Sequence, residues 1–299
     1  MTAPEAGAAG REAHVTDPDD PRLAPYRTLT DRALRQGAAE ATGGDAPHGC
    51  FLAEGHYVLE RLVATGAPVL SVLLTERRLA AASAYLAAFD GPRYVVSEDV
   101  ASAVAGYPVH RGVMGLVARP RPLTVEEVAA DAGLLVYLDG LTDTENVGAI
   151  FRTAAALGVD GVIAGPTSAD PLYRRCVRVS MGASAVLAWA RDHDGEGLAR
   201  LASTPPGWWR VGLSADGART LDDLAHRPPP RIVAVVGSEG PGLSENVRRS
   251  CDELVRIPLQ PGVDSLNVAA AAAIALYPLA SRAREIETEW AATSPSQQH

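Results

Sequence analysis

The chain has 299 residues, with 27 Lys and Arg against 36 Asp and Glu, and therefore a formal net charge of -9. This length is typical of two domains, and the acidic balance argues against a protein coated by nucleic acid, although a local basic surface is still possible. Cys50, Cys176 and Cys251 are far apart and form no CxxC pair, which argues against a disulfide framework or a zinc site. The chain opens without a signal peptide, and no apolar run reaches the roughly 18 residues that span a bilayer, so we expect a cytoplasmic protein.

The first half of the chain alternates between strand and helix patterns. Residues 1–20 are rich in Ala, Gly, Pro and Asp, and we expect them to form a disordered tail. The segments that follow predict, in chain order, a strand in PVLSVLLT, a helix in RRLAAASAYLAAF, a strand in PRYVVSE, a helix in EDVASAVAG and a strand in GVMGLVARP. This order predicts a small α/β domain over residues 21–118. A Pro-rich and then acidic stretch at 119–132 is typical of a linker.

The second half starts a new α/β series at residue 133 and continues to residue 288. A buried-type strand, LLVYLDG, precedes a helix, NVGAIFRTAAALG, which Gly158 is expected to end. Strands and helices then alternate to the long alanine-rich helix at 264–280, and the last residues, 289–299, are expected to be disordered. Alternation of this kind predicts a mostly parallel sheet with helices on both faces.

Ligands bind at the carboxyl ends of the strands in such a sheet, so the residues after each strand are the candidates for a site. After the strand 134–138, a polar loop leads to Asn146 at a helix start, with Arg152 six residues later. Asn146 suits either an N-cap or a site. Arg152 lies among Ala, Ile and Phe, where an arginine either extends to solvent, pairs with a carboxylate or serves chemistry.

A second strand ends in VVGSEGPGLS, where glycines allow the backbone to approach a ligand closely before a helix that Ser244 caps. Glu239 within this loop can orient a substrate or a cationic group. The loop lacks the GxGxxG spacing and the Gly-Lys-Ser/Thr of a P-loop, which argues against a dinucleotide-dependent enzyme. The third candidate is DSLNVAAAAAIALYPLA at 264–280. Ser265 and Asn267 are expected in the first turn of its helix, and the alanines allow close approach of the preceding loop or of a second copy.

These three segments together resemble the SpoU (TrmH-type) family of RNA 2′-O-ribose methyltransferases, within the SPOUT superfamily. NVGAIFR is similar to the first family motif, VVGSEGPGLS to the second and RIPLQPGVDSLNVAAAAAIAL to the third. DPLYRRCVRVSMGA is similar to the stretch between the first two motifs. The resemblance covers almost all of the second half, and LAEGHYVLERLV and VHRGVMGLV extend it to the small RNA-binding domain of the family. Pro261 and Gly262 depart from the third motif, in which many members place the glycine one position earlier.

The resemblance implies an α/β fold in which a small RNA-binding domain precedes a parallel-sheet domain with a deep trefoil knot. It implies S-adenosylmethionine as the methyl donor, held by residues of the second and third motifs: Val236, Gly237, Ser238, Ile257, Leu259, Leu266 and Asn267. It implies that Arg152 activates the ribose hydroxyl, although an arginine can equally hold the neighbouring phosphate. Asn146, Glu239, Ser265 and Asn267 would orient the reacting groups, and no metal is implied.

The resemblance also implies a homodimer and an RNA substrate. Arg174, Arg175, Arg178 and Arg111 are the expected RNA-binding residues, with Arg77, Arg78 and His110 nearby in the first half, although each cluster also suits a solvated face. Ribosomal RNA is the favoured target. The open alternatives are tRNA, a protective mark against a ribosome-binding antibiotic, and an inactive RNA-binding protein of the same fold.

Overall fold

A computed structural model describes residues 12–27, 34, 46–109, 111–204, 207–223 and 231–293, with side chains described up to residue 281. His110 lies outside the described residues. The chain divides into two compact units, of which unit 1 comprises residues 1–121 and 172–186, and unit 2 comprises residues 122–171 and 187–299. The segment 172–186 therefore leaves unit 2 and joins unit 1, whereas the sequence analysis placed it in a continuous second domain.

The strands are β1 (Glu12–His14), β2 (Cys50–Glu54), β3 (Val69–Thr75), β4 (Arg93–Val96), β5 (Val113–Ala118), β6 (Leu134–Asp139), β7 (Gly161–Ala164), β8 (Ala188–Arg191), β9 (Trp209–Leu213), β10 (Arg219–Thr220), β11 (Ile232–Gly237) and β12 (Glu253–Arg256). The α-helices are α1 (His56–Ala64), α2 (Glu76–Leu86), α3 (Glu98–Ala105), α4 (Val125–Ala129), α5 (Thr144–Leu157), α6 (Arg174–Val179), α7 (Gly197–Ala202), α8 (Glu245–Ser250) and α9 (Val268–Thr293).

Unit 1 is built on a mixed sheet with the strand order β1-β4-β3-β5-β2, in which β5 runs antiparallel to both β2 and β3. Helix α6, from the second half of the chain, packs against β2. Cys176 and Val177 of α6 are fully buried, and this apolar face is the physical reason for the insertion. Its pattern shows a buried face in the sequence, but not which sheet covers that face.

Two segments expected to be disordered are ordered in the structure. Strand β1 pairs in parallel with β4, and Val15 behind it is buried, so residues 12–20 are part of unit 1. Helix α9 continues to Thr293 and so includes residues 289–293. Both segments have a composition typical of disordered chain. Strand β1 nevertheless gains backbone hydrogen bonds from β4, a partner that is distant in the sequence and cannot be read from the local pattern. Residues 1–11 and 294–299 lie outside the described residues.

Unit 2 has a seven-stranded sheet with the order β10-β12-β9-β11-β6-β7-β8, and all of its strand pairs are parallel. This confirms the predicted α/β fold with a parallel sheet. Alternate residues of β6 and β11, such as Tyr137 and Val235, share a core with α4, α7 and α8. Helix α9 packs against α5 and against β6 and β11, so helices cover both faces of the sheet.

The stretch 119–132, which was expected to be a linker, contains α4. Thr124 and Glu127 form a reciprocal capping box at its start, and Val125, Val128 and Ala129 are buried. The acidic residues that suggested a linker are the first-turn residues of this helix, where carboxylates are favoured by the helix dipole. Unit 2 therefore begins at Pro122 and not at residue 133.

The alanine-rich helix α9 packs against a helix of its own unit. Ala272, Ala275 and Leu276 are fully buried, and the helix lies against α5. From the sequence, the preceding loop or a second copy was expected to be this neighbour. Because alanine adds little beyond its Cβ atom, the backbones of α5 and α9 can come close together. The opposite face exposes Ile274 and Tyr277, at 46% and 66% of their surface.

Candidate active site

Strand pairing brings the first two candidate loops to one edge of the sheet. Strands β6 and β11 are hydrogen-bonded neighbours, and their last residues, Asp139 and Gly237, are register partners. The polar loop after Asp139 leads into α5, and the glycine loop after Gly237 leads into α8. Both loops therefore leave the carboxyl end of the sheet side by side, which is where parallel sheets bind ligands.

The glycine loop after β11 folds back over its own strand. Ser238 and Gly242 exchange two backbone N–H···O hydrogen bonds of 3.1 Å each, and Gly240 and Gly242 have φ angles of +86° and +71°. A Cβ atom at Gly237 would lie 2.3 Å from the carbonyl carbon of Gly242 and 2.4 Å from the amide nitrogen of Leu243. Both obstacles are backbone atoms, so position 237 accepts only glycine unless the loop moves.

Asp139 fixes the glycine loop to the neighbouring strand, and the sequence analysis did not assign it to the site. Its Oδ2 atom accepts a hydrogen bond of 2.6 Å from the backbone N–H of Ser244, the residue that precedes α8. Asp139 is 9% exposed. The available signal was its place at the end of a strand, the same criterion that selected Asn146 and Glu239.

Asn146, Glu239 and Asn267, one from each of the three candidate segments, form a hydrogen-bonded triad. The Nδ2 group of Asn146 donates to Oε1 of Glu239 at 2.8 Å. The Nδ2 group of Asn267 donates to Oδ1 of Asn146 at 2.9 Å and to Oε1 of Glu239 at 3.3 Å. The three residues are separated by 93 and 28 positions in the chain, so only the fold makes them neighbours.

The structure also settles the capping roles of these residues. Asp143, and not Asn146, is the N-cap of α5, since its side chain accepts from the N–H of Glu145 at 2.7 Å. Asn146 is the third residue of the helix, and its side chain joins the triad. Asn267 is the cap of α9, because its Oδ1 atom accepts from the N–H groups of Ala269 and Ala270. Ser265 lies before the helix, which begins at Val268, and not in its first turn.

The two roles of Asn267 can be separated by one substitution. Asn267→Asp keeps the capping oxygen but replaces both donor contacts with a carboxylate beside Glu239. We expect the melting temperature to change little and the methyl transfer that the resemblance implies to fall roughly 10- to 50-fold, because like charges in contact displace the triad. Asn267→Ala should lower both. Calorimetry and a labelled-methyl assay measure the two effects, and equal activity in Asn267→Asp and the unmodified protein would contradict the role of the triad.

A cavity of about 640 Å³ opens at this edge of unit 2. This volume lies within the usual range for small-molecule sites. The predicted cofactor residues all line it, namely Val236, Gly237, Ser238, Ile257, Leu259, Leu266 and Asn267, as do Glu239 and Ser265. Val255 adds to its apolar walls. A flat heterocycle with polar edges suits a cavity that has apolar walls and an accessible backbone in a glycine loop. The residues present therefore fit an adenosine-containing cofactor.

The departure from the third motif, Pro261-Gly262, forms a turn beside this cavity. The N–H of Val263 bonds to the carbonyl of Gln260 at 3.1 Å, and Gly262 has a φ of +84°. Proline followed by a glycine with positive φ is the pattern of a type II turn. The glycine one position later therefore supplies the left-handed residue that this turn requires, and residues 264–268 still line the cavity.

A second polar cluster lines the cavity beyond β9. Arg248 donates from Nη1 to Ser214 Oγ at 2.8 Å, and its two Nη groups contact the two carboxylate oxygens of Asp216 at 3.1 and 2.9 Å. Ser214 also donates to Asp216. The hydroxyl of Ser214 and the guanidinium of Arg248 hold the pKa of Asp216 below its usual range. This cluster was not predicted from the sequence.

Arg152 is not part of the triad in the structure. It is exposed on α5, and among the described residues it has no hydrogen bond or ion pair. Its position six residues beyond Asn146 corresponds to about 9 Å along the helix axis. Two structural roles were expected for Arg152, namely extension to solvent and pairing with a carboxylate. Among the described residues the pairing is not observed. The guanidinium is therefore available to a bound molecule.

Three of the four predicted RNA-binding arginines converge in unit 1, and we call Arg111, Arg174, Arg178, Tyr107 and Glu54 the arginine cluster. The guanidinium of Arg174 lies 5.0 Å from the ring centroid of Tyr107, a cation–π arrangement. Arg178 lies 3.9 Å from the buried carboxylate of Glu54. Arg111 lies against the backbone at Gly55. Burial, and then the neighbouring Glu54, raise the pKa of Tyr107, so its hydroxyl stays protonated at neutral pH.

The other basic residues considered have different surroundings. Arg175, next to Arg174 on α6, is exposed. Arg77 forms an ion pair of 2.9 Å with Glu98. Within the described part of the chain, no group of three or more His, Cys, Asp and Glu side chains is placed to hold a metal ion. No helix in that same part is long and apolar enough to cross a membrane.

Comparison with known proteins identifies similar chains over both halves. A family model described as the SpoU rRNA methylase family matches residues 133–277. An uncharacterized tRNA/rRNA methyltransferase of Mycobacterium tuberculosis is 40% identical over 274 residues, which cover 88% of this chain and 90% of the relative.

Solved structures agree with this result. The AdoMet-bound rRNA methyltransferase of Sinorhizobium meliloti is 26% identical, with a TM-score of 0.72, and the match covers 91% of this chain and 98% of that one. A structure described as an RNA 2′-O ribose methyltransferase is 26% identical, with a TM-score of 0.70, over 91% of this chain and all of that one, 100%.

Proposed function

The chain belongs to the SpoU family of RNA methyltransferases, which use S-adenosylmethionine, and from that premise we propose that it methylates a ribose 2′-hydroxyl of ribosomal RNA. The observation that carries the proposal is the triad of Asn146, Glu239 and Asn267, of which the last two line the cavity. A site assembled from three distant segments at the edge of a cofactor-sized cavity suits a reaction between a bound cofactor and a second substrate. Similarity to an RNA 2′-O ribose methyltransferase supports the choice of hydroxyl.

We propose that the adenosine part of the cofactor is held by the residues that line the apolar walls, including Val236, Ile257 and Leu266. Ser238 and Gly242 use their backbone N–H and C=O groups on each other, so the groups of Glu239 and Gly240 are the ones proposed to meet the edges of the base. Bound S-adenosylmethionine supplies a methyl group on a positively charged sulfur. The protein must then place the ribose hydroxyl in line and accommodate its proton.

The triad is proposed to orient the ribose and the donor through its remaining polar atoms. Glu239 uses Oε1 for both asparagines, and its exposed side chain leaves Oε2 for a substrate. Ser265 lines the same cavity and adds a hydroxyl. Arg152 is proposed to hold the ribose hydroxyl or the adjacent phosphate and to stabilise the negative charge that develops on the oxygen. A guanidinium is almost always protonated, so an electrostatic role suits it better than that of a base.

The arginine cluster, with the exposed Arg175, is proposed as an RNA-binding surface. Because the net charge is -9, any RNA-binding surface must be a local patch. In this patch Arg174 lies over the Tyr107 ring, Arg178 pairs with Glu54, and Arg111 lies beside Gly55. Arginines neutralise phosphates, and the ring of Tyr107 offers a face for stacking. The ion pair between Arg178 and buried Glu54 fixes one arginine in place.

The salt dependence of RNA binding tests this surface. In Arg175→Ala we expect weaker binding to all RNAs and a slope of log K against log salt that is lower by about 1, because one phosphate contact is lost. Arg22→Ala is a matched control, since Arg22 lies in the same unit but pairs with Asp20 at 2.7 Å and with no member of the arginine cluster. Filter binding at several salt concentrations measures both. An unchanged slope in Arg175→Ala would remove this residue from the interface.

A homodimer and a deep trefoil knot are also part of the proposal. Five large apolar residues of unit 2 are exposed among the described residues and all fall within 259–277, namely Leu259, Val263, Leu266, Ile274 and Tyr277. Leu259 and Leu266 line the cofactor cavity, whereas Val263, Ile274 and Tyr277 do not. Exposed apolar residues of the second kind are typical of an interface, and a second copy is the partner that the resemblance implies. The knot is supported by the resemblance of the second and third motifs to the family, whose C-terminal part is knotted.

The substrate class is tested by labelled methyl transfer to separate pools of unmodified ribosomal RNA and tRNA. We expect label in the ribosomal RNA pool. Label in the tRNA pool alone would favour the second candidate, the same chemistry on tRNA, which the naming of the mycobacterial relative for both RNAs supports. If S-adenosylhomocysteine binds but neither free RNA nor ribosomal particles accept label, an inactive RNA-binding protein becomes the better account.

A further inference from the structure

The Ser214–Asp216–Arg248 cluster is built into the wall of the cavity, yet the triad and the apolar walls do not use it. All three residues line the cavity, at the end of β9 and on α8. Strand β9 lies next to β11 on the side away from β6. The cluster therefore lies on the β9 side of the glycine loop, whereas Asn146 lies on the β6 side.

The turn that carries Asp216 is fixed on its strand. The N–H of Ser214 bonds to the carbonyl of Val255, and the N–H of Gly217 bonds to the carbonyl of Ser214. Arg256 donates to the carbonyl of Gly217 at 2.7 Å. A Cβ atom at Gly217 would lie 2.5 Å from the carbonyl carbon of Val255, so the turn lies directly on β12. The carboxylate of Asp216 is thus held in position before any ligand binds.

The hydrogen bonds of Asp216 leave acceptor capacity on one oxygen. Oδ1 accepts from Ser214 and from Nη1 of Arg248, and Oδ2 accepts from Nη2 of Arg248. A carboxylate oxygen has two lone pairs, and among the described residues no second side chain donates to Oδ2. The charge of Asp216 is compensated by Arg248, so the remaining lone pair suits a neutral hydroxyl better than a second cation.

We propose that Asp216, oriented by Ser214 and Arg248, accepts a hydrogen bond from a ribose hydroxyl of S-adenosylmethionine. An acidic residue beyond a strand next to the glycine loop plays this part for the ribose in dinucleotide-binding sheets, because a carboxylate at that edge reaches the sugar when the base lies in the cavity. The inference rests on the proposed use of this cavity for the cofactor. Asp216 is thereby a specificity-determining residue for the adenosine part.

Binding of S-adenosylhomocysteine and three of its analogues, measured by calorimetry on the full chain, tests this assignment. The analogues lack the 2′-hydroxyl, the 3′-hydroxyl or the α-amino group. We expect Asp216→Ala to weaken S-adenosylhomocysteine about tenfold, since a hydrogen bond to a charged group is lost. One of the two deoxy analogues should bind the variant and the unmodified protein equally, because the contact is already missing.

Asp216→Asn and Arg249→Ala complete the experiment. Asp216→Asn keeps the shape of the side chain and retains one oxygen acceptor. We therefore expect it to lower the affinity for S-adenosylhomocysteine, but by less than Asp216→Ala does. Arg249 lies next to Arg248 but pairs with Glu245 at 3.0 Å, and its loss should leave all four affinities unchanged. If Asp216→Ala weakens the binding of all four ligands equally, the assignment is overturned. It is also overturned if the analogue without the α-amino group is the one ligand that the variant and the unmodified protein bind equally. Absence of binding to the unmodified protein overturns the proposed cofactor site itself.

Discussion

Arg152→Ala is expected to lower the rate of methyl transfer at least about 1,000-fold while the Kd for S-adenosylhomocysteine stays within about twofold. The reason is the separation seen in the structure, where Arg152 is exposed on α5 and does not line the cavity. Its guanidinium can therefore act on the RNA without supporting the cofactor. Time courses of methyl transfer from labelled S-adenosylmethionine give the rate, and calorimetry gives the affinity for S-adenosylhomocysteine.

Arg152→Lys and Arg249→Ala are the controls for this result. A lysine keeps the charge but cannot form the planar two-point contact of a guanidinium, so a partial rate is expected. Arg249→Ala removes a different exposed arginine of the same unit, and its rate should be unchanged. A parallel loss of rate and cofactor affinity in Arg152→Ala would show that Arg152 acts through the cofactor site, contrary to the proposal.

Gly237→Ala is expected to lower the affinity for S-adenosylhomocysteine at least about 100-fold, because the loop over it must move to make room. A Cβ atom at this position meets backbone atoms of Gly242 and Leu243 within 2.4 Å, and neither can rotate away. The displaced loop carries Ser238 and Glu239, so the cofactor walls and the triad are both disturbed. In a thermal scan, the ligand should no longer raise the melting temperature of the variant.

Gly161→Ala is a matched control for general destabilisation. Gly161 is the first residue of β7 in the same sheet, and its added Cβ atom would lie 2.4 Å from the Val128 side chain. This variant should melt at a lower temperature but keep its affinity for the ligand, because the strand begins at the opposite end of the sheet from the cavity. Similar affinity losses in the two variants would mean that the effect of Gly237→Ala is only a loss of folded protein.

The fold class and most of the site could be predicted from the sequence because their signals are local. Each of Asn146, Glu239 and Asn267 follows a strand, and parallel strands place their carboxyl ends along one edge. The resemblance added the expectation that the three segments act together, and the contacts between them are consistent with it. Gly158 ends α5 in the left-handed conformation, as its position after the apolar pattern predicted.

Other features depend on partners that a linear pattern does not show. The insertion of α6 into unit 1 follows from which sheet covers Cys176 and Val177, and strand β1 exists because β4 offers it an edge. Asn146 was expected to be a possible cap, but Asp143 three residues earlier competes for that place and caps α5 instead. Asp216 and Arg248 are far apart in the chain, so only the folded structure shows that they lie together in one wall of the cavity.

The position of the transferred methyl group is the most direct test of the central claim. Alkaline hydrolysis of RNA needs a free 2′-hydroxyl to attack the neighbouring phosphate, so a 2′-O-methyl group leaves the bond beside it uncleaved. We expect the label from a ribosomal RNA reaction to be recovered in alkali-stable dinucleotides and to be absent in Arg152→Ala. Label recovered in mononucleotides would place the methyl group on a base and contradict the proposed reaction.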